Sequence, residues 1–95
     1  MAYKFYTDGG HGWLQVPKEQ IRQLGIEAQI SGHSYHDKDN VYLEEDCDMA
    51  VFLKKKGITS PAGYQVFHQQ VEEVYHHNSP IRNLPHYTRK SLSHT

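Results

Sequence analysis

Cysteine occurs once, at Cys47, in a chain of 95 residues. A single thiol excludes an intramolecular disulfide and a cysteine-based zinc site, so the fold has to rest on packing. No apolar run approaches the ~20 residues that a membrane span needs, and no signal-peptide pattern opens the sequence. A cytoplasmic location is therefore expected. Charge of one sign is also scarce: the net charge is −1 with 22% charged residues. That balance excludes a strongly basic nucleic-acid binder and a highly charged disordered chain. Apolar residues make up only 37%, so the core is thin, and the length fits one domain. No internal repeat is found.

Tyrosine and histidine are plentiful, at 7 and 8 residues. The charges are unevenly placed. Residues 37–48 carry Asp37, Asp39, Glu44, Glu45, Asp46 and Asp48 against Lys38, a local sum of −5. From Val74 onward there are Arg82, Arg89 and Lys90 and no acid, a sum of +3. The near-neutral total thus hides a dipole.

Residues 2–7 are aromatic-rich and loosely alternating, a first strand. Asp8-Gly9-Gly10-His11-Gly12 is a turn, since three glycines permit positive φ and close backbone approach. Residues 13–16 resume an extended pattern and can pair back as a hairpin. Pro17 suits the first turn of a short helix that Gly25 stops. Ser34-Tyr35-His36 and residues 41–44 flank Asp37-Lys38-Asp39-Asn40, a second hairpin. Asp46 is the expected N-cap of the next helix, with Asp48 in its first turn. Met49, Phe52 and Leu53 form its buried stripe, and Gly57 closes it. Residues 64–77 fit either a helical stripe (Tyr64, Phe67, Val71, Val74) or a long strand. The strand is preferred, because it widens the sheet for two helices to cover. Ile81, Leu84 and Tyr87 read as docking residues for a C-terminal segment laid across the body. Residues 88–95 are expected to form a disordered tail.

The acids Glu44, Glu45, Asp46 and Asp48 read first as helix caps and favourable charge at a helix N-terminus. Divalent-cation binding is disfavoured, because the calcium-loop spacing and its glycine are absent. Mimicry of nucleic-acid phosphates is a further use, limited by the near-zero net charge. His33 and His36 lie on opposite faces of a strand, and His76-His77 has the same geometry, so no metal site is expected. Cys47, between two acids, is expected to have a raised thiol pKa and to be a buried structural thiol.

The glycine turn can present backbone N–H groups to an anion, and Asp8 with His11 can pair as base and orienter. The alternative is a tight turn with Trp13 packed in the core. Arg82 can clamp a phosphate or carboxylate; otherwise it forms a salt bridge fixing the C-terminal segment, with the acidic cluster as one partner. Tyr3, Tyr35, Tyr42, Tyr64, Tyr75 and Tyr87 are spread over all elements, and tyrosine is enriched at protein interfaces.

Three blocks together carry a resemblance: Lys4-Phe5-Tyr6-Thr7-Asp8 with Gly12-Trp13-Leu14-Gln15-Val16-Pro17, then residues 41–48, then Ser79-Pro80-Ile81-Arg82-Asn83. The chain resembles a family of small uncharacterised proteins of phage, prophage and plasmid origin. That family usually has a proline where Gly9 or Gly10 stands. The resemblance implies a setting, a mobile-element protein made in the cytoplasm of a bacterial cell, and supplies no activity.

The expected fold is α+β: four to five strands in a mainly antiparallel sheet with two helices on one face, in the order β(β)αββαβ, over a single domain of residues 1–87. The expected function is a non-enzymatic protein that binds and inhibits or modulates a bacterial host or defence protein, in the manner of an anti-CRISPR. No cofactor, metal or membrane is called for, and self-association as a homodimer is compatible with the sequence. A small ligand-binding domain or enzyme using Asp8, His11 and Arg82 is the alternative, and requires the three to converge within about 10 Å, the scale of a small-ligand pocket. A nucleic-acid binder using the basic C-terminal segment is the third reading. The residues expected to bind are Glu44, Glu45, Asp46, Asp48, Asp8, His11, Arg82 and Tyr87.

Overall fold

The computed structural model describes residues 3–92. Two alternating stretches, Tyr3–Thr7 (β1) and Gly12–Pro17 (β2), pair antiparallel across the Asp8 turn. Asp8 builds that turn: its Oδ1 accepts from the backbone N–H groups of Gly10 and His11 at 3.0 and 2.9 Å, and Gly9 takes φ +88°. Gly12 lies against the ring of Phe5, where a Cβ would overlap Cζ. A side chain at this position would have to displace that ring.

β2 runs into the helix Lys18–Leu24 (α1), which ends at Gly25 in the left-handed conformation, φ 68°. A 3-10 turn, Glu27–Gln29, leads on to Tyr35–His36 (β3) and Asn40–Glu44 (β4). Asp37 closes this second hairpin. Its Oδ1 accepts from the N–H groups of Asp39 and Asn40, and its Oδ2 from the Tyr42 hydroxyl at 2.6 Å. The helices Asp48–Lys55 (α2) and Pro61–His68 (α3) follow, then Val71–Tyr75 (β5) and two 3-10 turns, Pro80–Asn83 and Arg89–Leu92.

The five strands form one mixed sheet in the order β3-β4-β2-β1-β5. β2 pairs antiparallel with β4, and β4 with β3, while β5 runs parallel to β1 with Tyr3 opposite Val71 and Thr7 opposite Tyr75. The period-2 pattern sorts side chains between two faces. On one face Tyr3, Leu14, Val16, Val41 and Leu43 meet Ile21 of α1, Phe52 and Leu53 of α2, and Phe67 of α3 in the main core. On the other, Trp13 and Tyr42 are covered by Ile81, with Tyr6, Tyr35 and Leu84 packed around them. The C-terminal segment thus supplies the second layer, as its apolar spacing predicts.

Three expectations need correction. Residues 64–77 are neither one strand nor one helix. Ser60 caps α3 by accepting from the N–H of Gly63 at 3.0 Å, with Pro61 at the first helical position. The helix then stops after one buried residue, Phe67, and the chain turns into β5. The order is therefore ββαββααβ, with three α-helices. Asp46 does not cap α2: Cys47 holds that position and its side chain makes no capping bond. The segment from residue 88 is not a free tail as far as Leu92, which is buried and whose carbonyl accepts from the Arg22 guanidinium at 3.1 and 3.3 Å. The remainder of that expected tail, 93–95, lies outside the described residues. Among the described residues no helix is long and apolar enough to cross a membrane.

Candidate functional site

Asp8, His11 and Arg82 converge. The 3-10 turn Pro80–Asn83 carries Arg82 onto the Asp8 turn, where its Nε donates to Asp8 Oδ2 at 2.7 Å and its Nη2 to His11 Nδ1 at 2.9 Å. The guanidinium also lies over the Trp13 ring, 5.1 Å from its centroid. Arginine only donates, so His11 Nδ1 is an acceptor and the ring proton sits on Nε2. The hydrogen bond from Arg82, then the backbone N–H of His11, hold the Asp8 carboxyl well below the usual carboxylate range. Asp8 raises the Arg82 guanidinium in turn.

This geometry meets the distance requirement of the ligand-binding reading and limits its chemistry. Asp8 Oδ1 accepts two hydrogen bonds and Oδ2 one, from the charged Arg82 guanidinium, so three of the four acceptor positions of the carboxylate are already used and it is a poor base. The trio works as a latch that fastens the C-terminal segment to the first hairpin. The salt bridge expected of Arg82 is made, with Asp8 rather than with the acidic cluster.

Beside the latch is a hollow of about 380 Å³ bordered by Trp13, Tyr35, His33, His86 and Arg82. Glu44, Asp46 and Cys47 complete its rim. Cys47 is exposed there, contrary to the buried thiol expected from the sequence. The helix begins only at Asp48, and that shift turns the thiol outward at the cap. Among the described residues no three of His, Cys, Asp and Glu lie together in a way that would hold a metal ion.

The four acids of residues 44–48 do not form one surface. Glu44 is buried at the end of β4, its Oε1 accepting from the N–H of Asp46 at 3.1 Å. Asp46 faces the hollow. Glu45 borders a different groove, on the helix side of the sheet. Asp48 is 2% exposed. Its Oδ2 accepts from Ser31 N, Ser31 Oγ and Ser34 Oγ at 3.0, 2.7 and 2.5 Å, and Ser34 Oγ accepts in turn from the N–H of Glu44 at 3.0 Å. This carboxylate fixes the 31–34 loop to the strand-to-helix joint. Tyr87 is also internal. Its hydroxyl donates to the Glu27 carbonyl at 2.7 Å, and burial, then Glu27, push its pKa up to about 12.

A second groove was not read from the sequence. It measures about 590 Å³ and lies between α2, α3 and the β1–β5 end of the sheet. Phe5, Met49, Leu53, Tyr64 and Val71 make most of its lining apolar, and Glu45, Glu73 and His68 are its titratable members. Tyr64 of its lining is 46% exposed; Val66 and Tyr75, elsewhere on the surface, are 57% and 60% exposed.

The two sheet edges differ. The outer side of β3 is closed by the C-terminal segment: His36 N–H donates to the Pro85 carbonyl at 3.1 Å, Tyr87 N–H to Ser34 at 2.8 Å, and Tyr35 bridges His86. Among the described residues nothing pairs with the outer side of β5. Compared with known proteins, the chain matches no family model, no curated protein and no solved structure.

Proposed function

We propose that this chain is a non-enzymatic binding protein of a mobile genetic element, which covers a bacterial host or defence protein and inhibits or modulates it. The observation that carries the reading is the open edge of β5 beside an apolar groove, with Tyr64 exposed in its lining. An unpaired edge and an apolar groove are features that protein partners use. The resemblance of residues 4–17, 41–48 and 79–83 to phage, prophage and plasmid proteins supplies the bacterial setting.

Affinity purification from a phage-infected or plasmid-bearing host, followed by mass spectrometry and reconstitution, tests the proposal. One bacterial protein in a fixed ratio, whose activity falls when the complex forms, is expected. A chain that captures no partner and turns over a substrate when purified would sink it.

A second reading has one observation behind it, the convergence of Asp8, His11 and Arg82 at the rim of a hollow. It ranks lower because these side chains already satisfy one another. Calorimetric titration with small carboxylates and phosphates tests it, and silence there removes it. The nucleic-acid reading, through the basic segment with Arg82, Arg89 and Lys90, is weaker still, since one of its three charges, Arg82, is paired with Asp8.

A further inference from the structure

The parallel ladder between β1 and β5 has a definite phase. Tyr3 N–H donates to the Gln70 carbonyl at one end, and His76 N–H donates to the Thr7 carbonyl at the other. Bonding in a strand alternates with period two, so Gln70, Glu72, Val74 and His76 turn their peptide groups to β1. Val71, Glu73 and Tyr75 therefore turn their N–H and C=O groups outward, to the unpaired side. The register places the same three side chains on the helix face, opposite Tyr3, Phe5 and Thr7. Val71 and Glu73 border the apolar groove.

Charge selects what can dock there. Residues 57–81 contain Glu72 and Glu73 and no lysine or arginine. Glu72 has Lys4 as its register partner, whereas Glu73 has Phe5, which brings no cation. Glu73 makes no ion pair among the described residues. Glu45 also lines the groove, so the lining is mainly apolar, with two acids and His68 and, among the described residues, no lysine or arginine. A second copy of the chain fits badly. An antiparallel pairing of two β5 edges about a two-fold axis centred on Glu73 sets that carboxylate against its own copy, and like charges directly opposite are destabilising.

We infer that the β5 edge takes an extended, positively charged segment of the partner protein as a sixth strand, with an apolar side chain of that segment seated in the groove between α2 and α3. This rests on the binding-protein reading above and adds the place and the chemistry of contact. Main-chain hydrogen bonds to Val71, Glu73 and Tyr75 supply the pairing, and Glu73 and Glu45 select lysine or arginine on the groove side of the added strand.

The test uses the full chain and a short peptide in which lysine and valine alternate at every second position with threonine between them, so that one face of the strand carries both; a peptide with glutamate in place of lysine is the control. Fluorescence anisotropy is expected to detect the cationic peptide alone, with binding that weakens as salt rises. Hydrogen exchange is expected to slow at the Val71, Glu73 and Tyr75 amides, and to change little at Glu72 and Val74. Glu73→Lys is expected to weaken binding at least about tenfold, with Glu73→Gln between it and the parent. Both variants sit at an exposed position, and their melting curves verify folding. No peptide binding, or binding that protects other amides and ignores Glu73→Lys, overturns the inference. So does a concentration-dependent dimer that protects the same three amides without peptide, which would assign the edge to a second copy. The two levels separate in the host purification: a partner captured equally by parent and Glu73→Lys leaves the binding-protein reading standing and removes this one, whereas capture of nothing by the parent removes the reading beneath it.

Discussion

Asp8 and Arg82 are 74 positions apart in sequence and meet at 2.7 Å, so that the first turn of the chain and its last segment are tied together. Asp8→Asn keeps an oxygen for the turn and removes the charge that Arg82 meets. Asp8→Asn and Arg82→Gln are each expected to lower the melting temperature. The double variant should lose no more than the worse single one, because both remove the same contact. Thermal denaturation of the four proteins checks this. Additive losses would show that the two side chains act separately.

Acid should weaken the same latch. The folded Asp8 carboxyl lies below its ordinary value of 3.8 through Arg82 and the backbone N–H of His11. Asp37 is also lowered, by the Tyr42 hydroxyl and the N–H groups of Asn40 and Asp39, which outweigh the opposing effect of its burial. A depressed carboxyl stabilises the fold above its unfolded pKa, and that contribution is lost as pH falls below it. His36 adds a second acid-side loss at higher pH. Burial, then Lys18, lowers its folded value from 6.5. The unfolded chain therefore takes the proton first, and stability declines as pH falls through 6.5. Denaturation midpoints from pH 8 to pH 2 should show two declines, the upper one absent in His36→Gln and the lower one reduced in Asp8→Asn.

Asp48 is a buried carboxylate with three hydrogen bonds from Ser31 and Ser34. Asp48→Ala leaves the Ser31 and Ser34 donors without their acceptor in a buried site, at about 3 kcal/mol. Ser34→Ala, which also strips the Glu44 N–H of its acceptor, should cost roughly 1–3 kcal/mol. Urea titration measures both. A loss below about 0.5 kcal/mol for Asp48→Ala would mean that water replaces the serines without penalty.

Gly12→Ala inserts a methyl group where the Phe5 ring already lies. Overpacking of this kind costs about 1–3 kcal/mol. Phe5→Leu in the same chain should recover part of the loss by withdrawing the ring. Recovery in the double variant, relative to Gly12→Ala alone, is the measurement.

How much of this was legible in the sequence depends on the range of the interaction. The two hairpins, the Gly25 stop and the buried stripe of α2 follow from local rules, because Asp8, Asp37 and Gly25 act on atoms within a few residues. The docking of Ile81 and Tyr87 was also readable, since apolar residues in an otherwise polar tail need cover. Residues 64–77 misled because Phe67 serves a helix and Val71 a strand, and both fit either period. Asp46 and Cys47 misled by one or two positions: a cap preference cannot register that Asp48 has a stronger use with Ser31 and Ser34, 14 to 17 residues upstream. The latch partner of Arg82 and the open β5 edge are products of topology, and no local pattern encodes them.

The parallel pairing of β1 with β5 also sets a timetable for the newly made chain. Tyr3 must wait for Val71, and Thr7 for Tyr75, before the first strand has both neighbours. Until then β1 is itself an open edge, and the hairpin of β1 and β2 emerges from the ribosome long before its final partner. Native pairings over such separations slow folding and lengthen the exposure of unpaired strands. The order of synthesis therefore makes pairing with β5 a late step in the assembly of this sheet, and until Val71 has been made β1 presents an edge that the finished sheet covers.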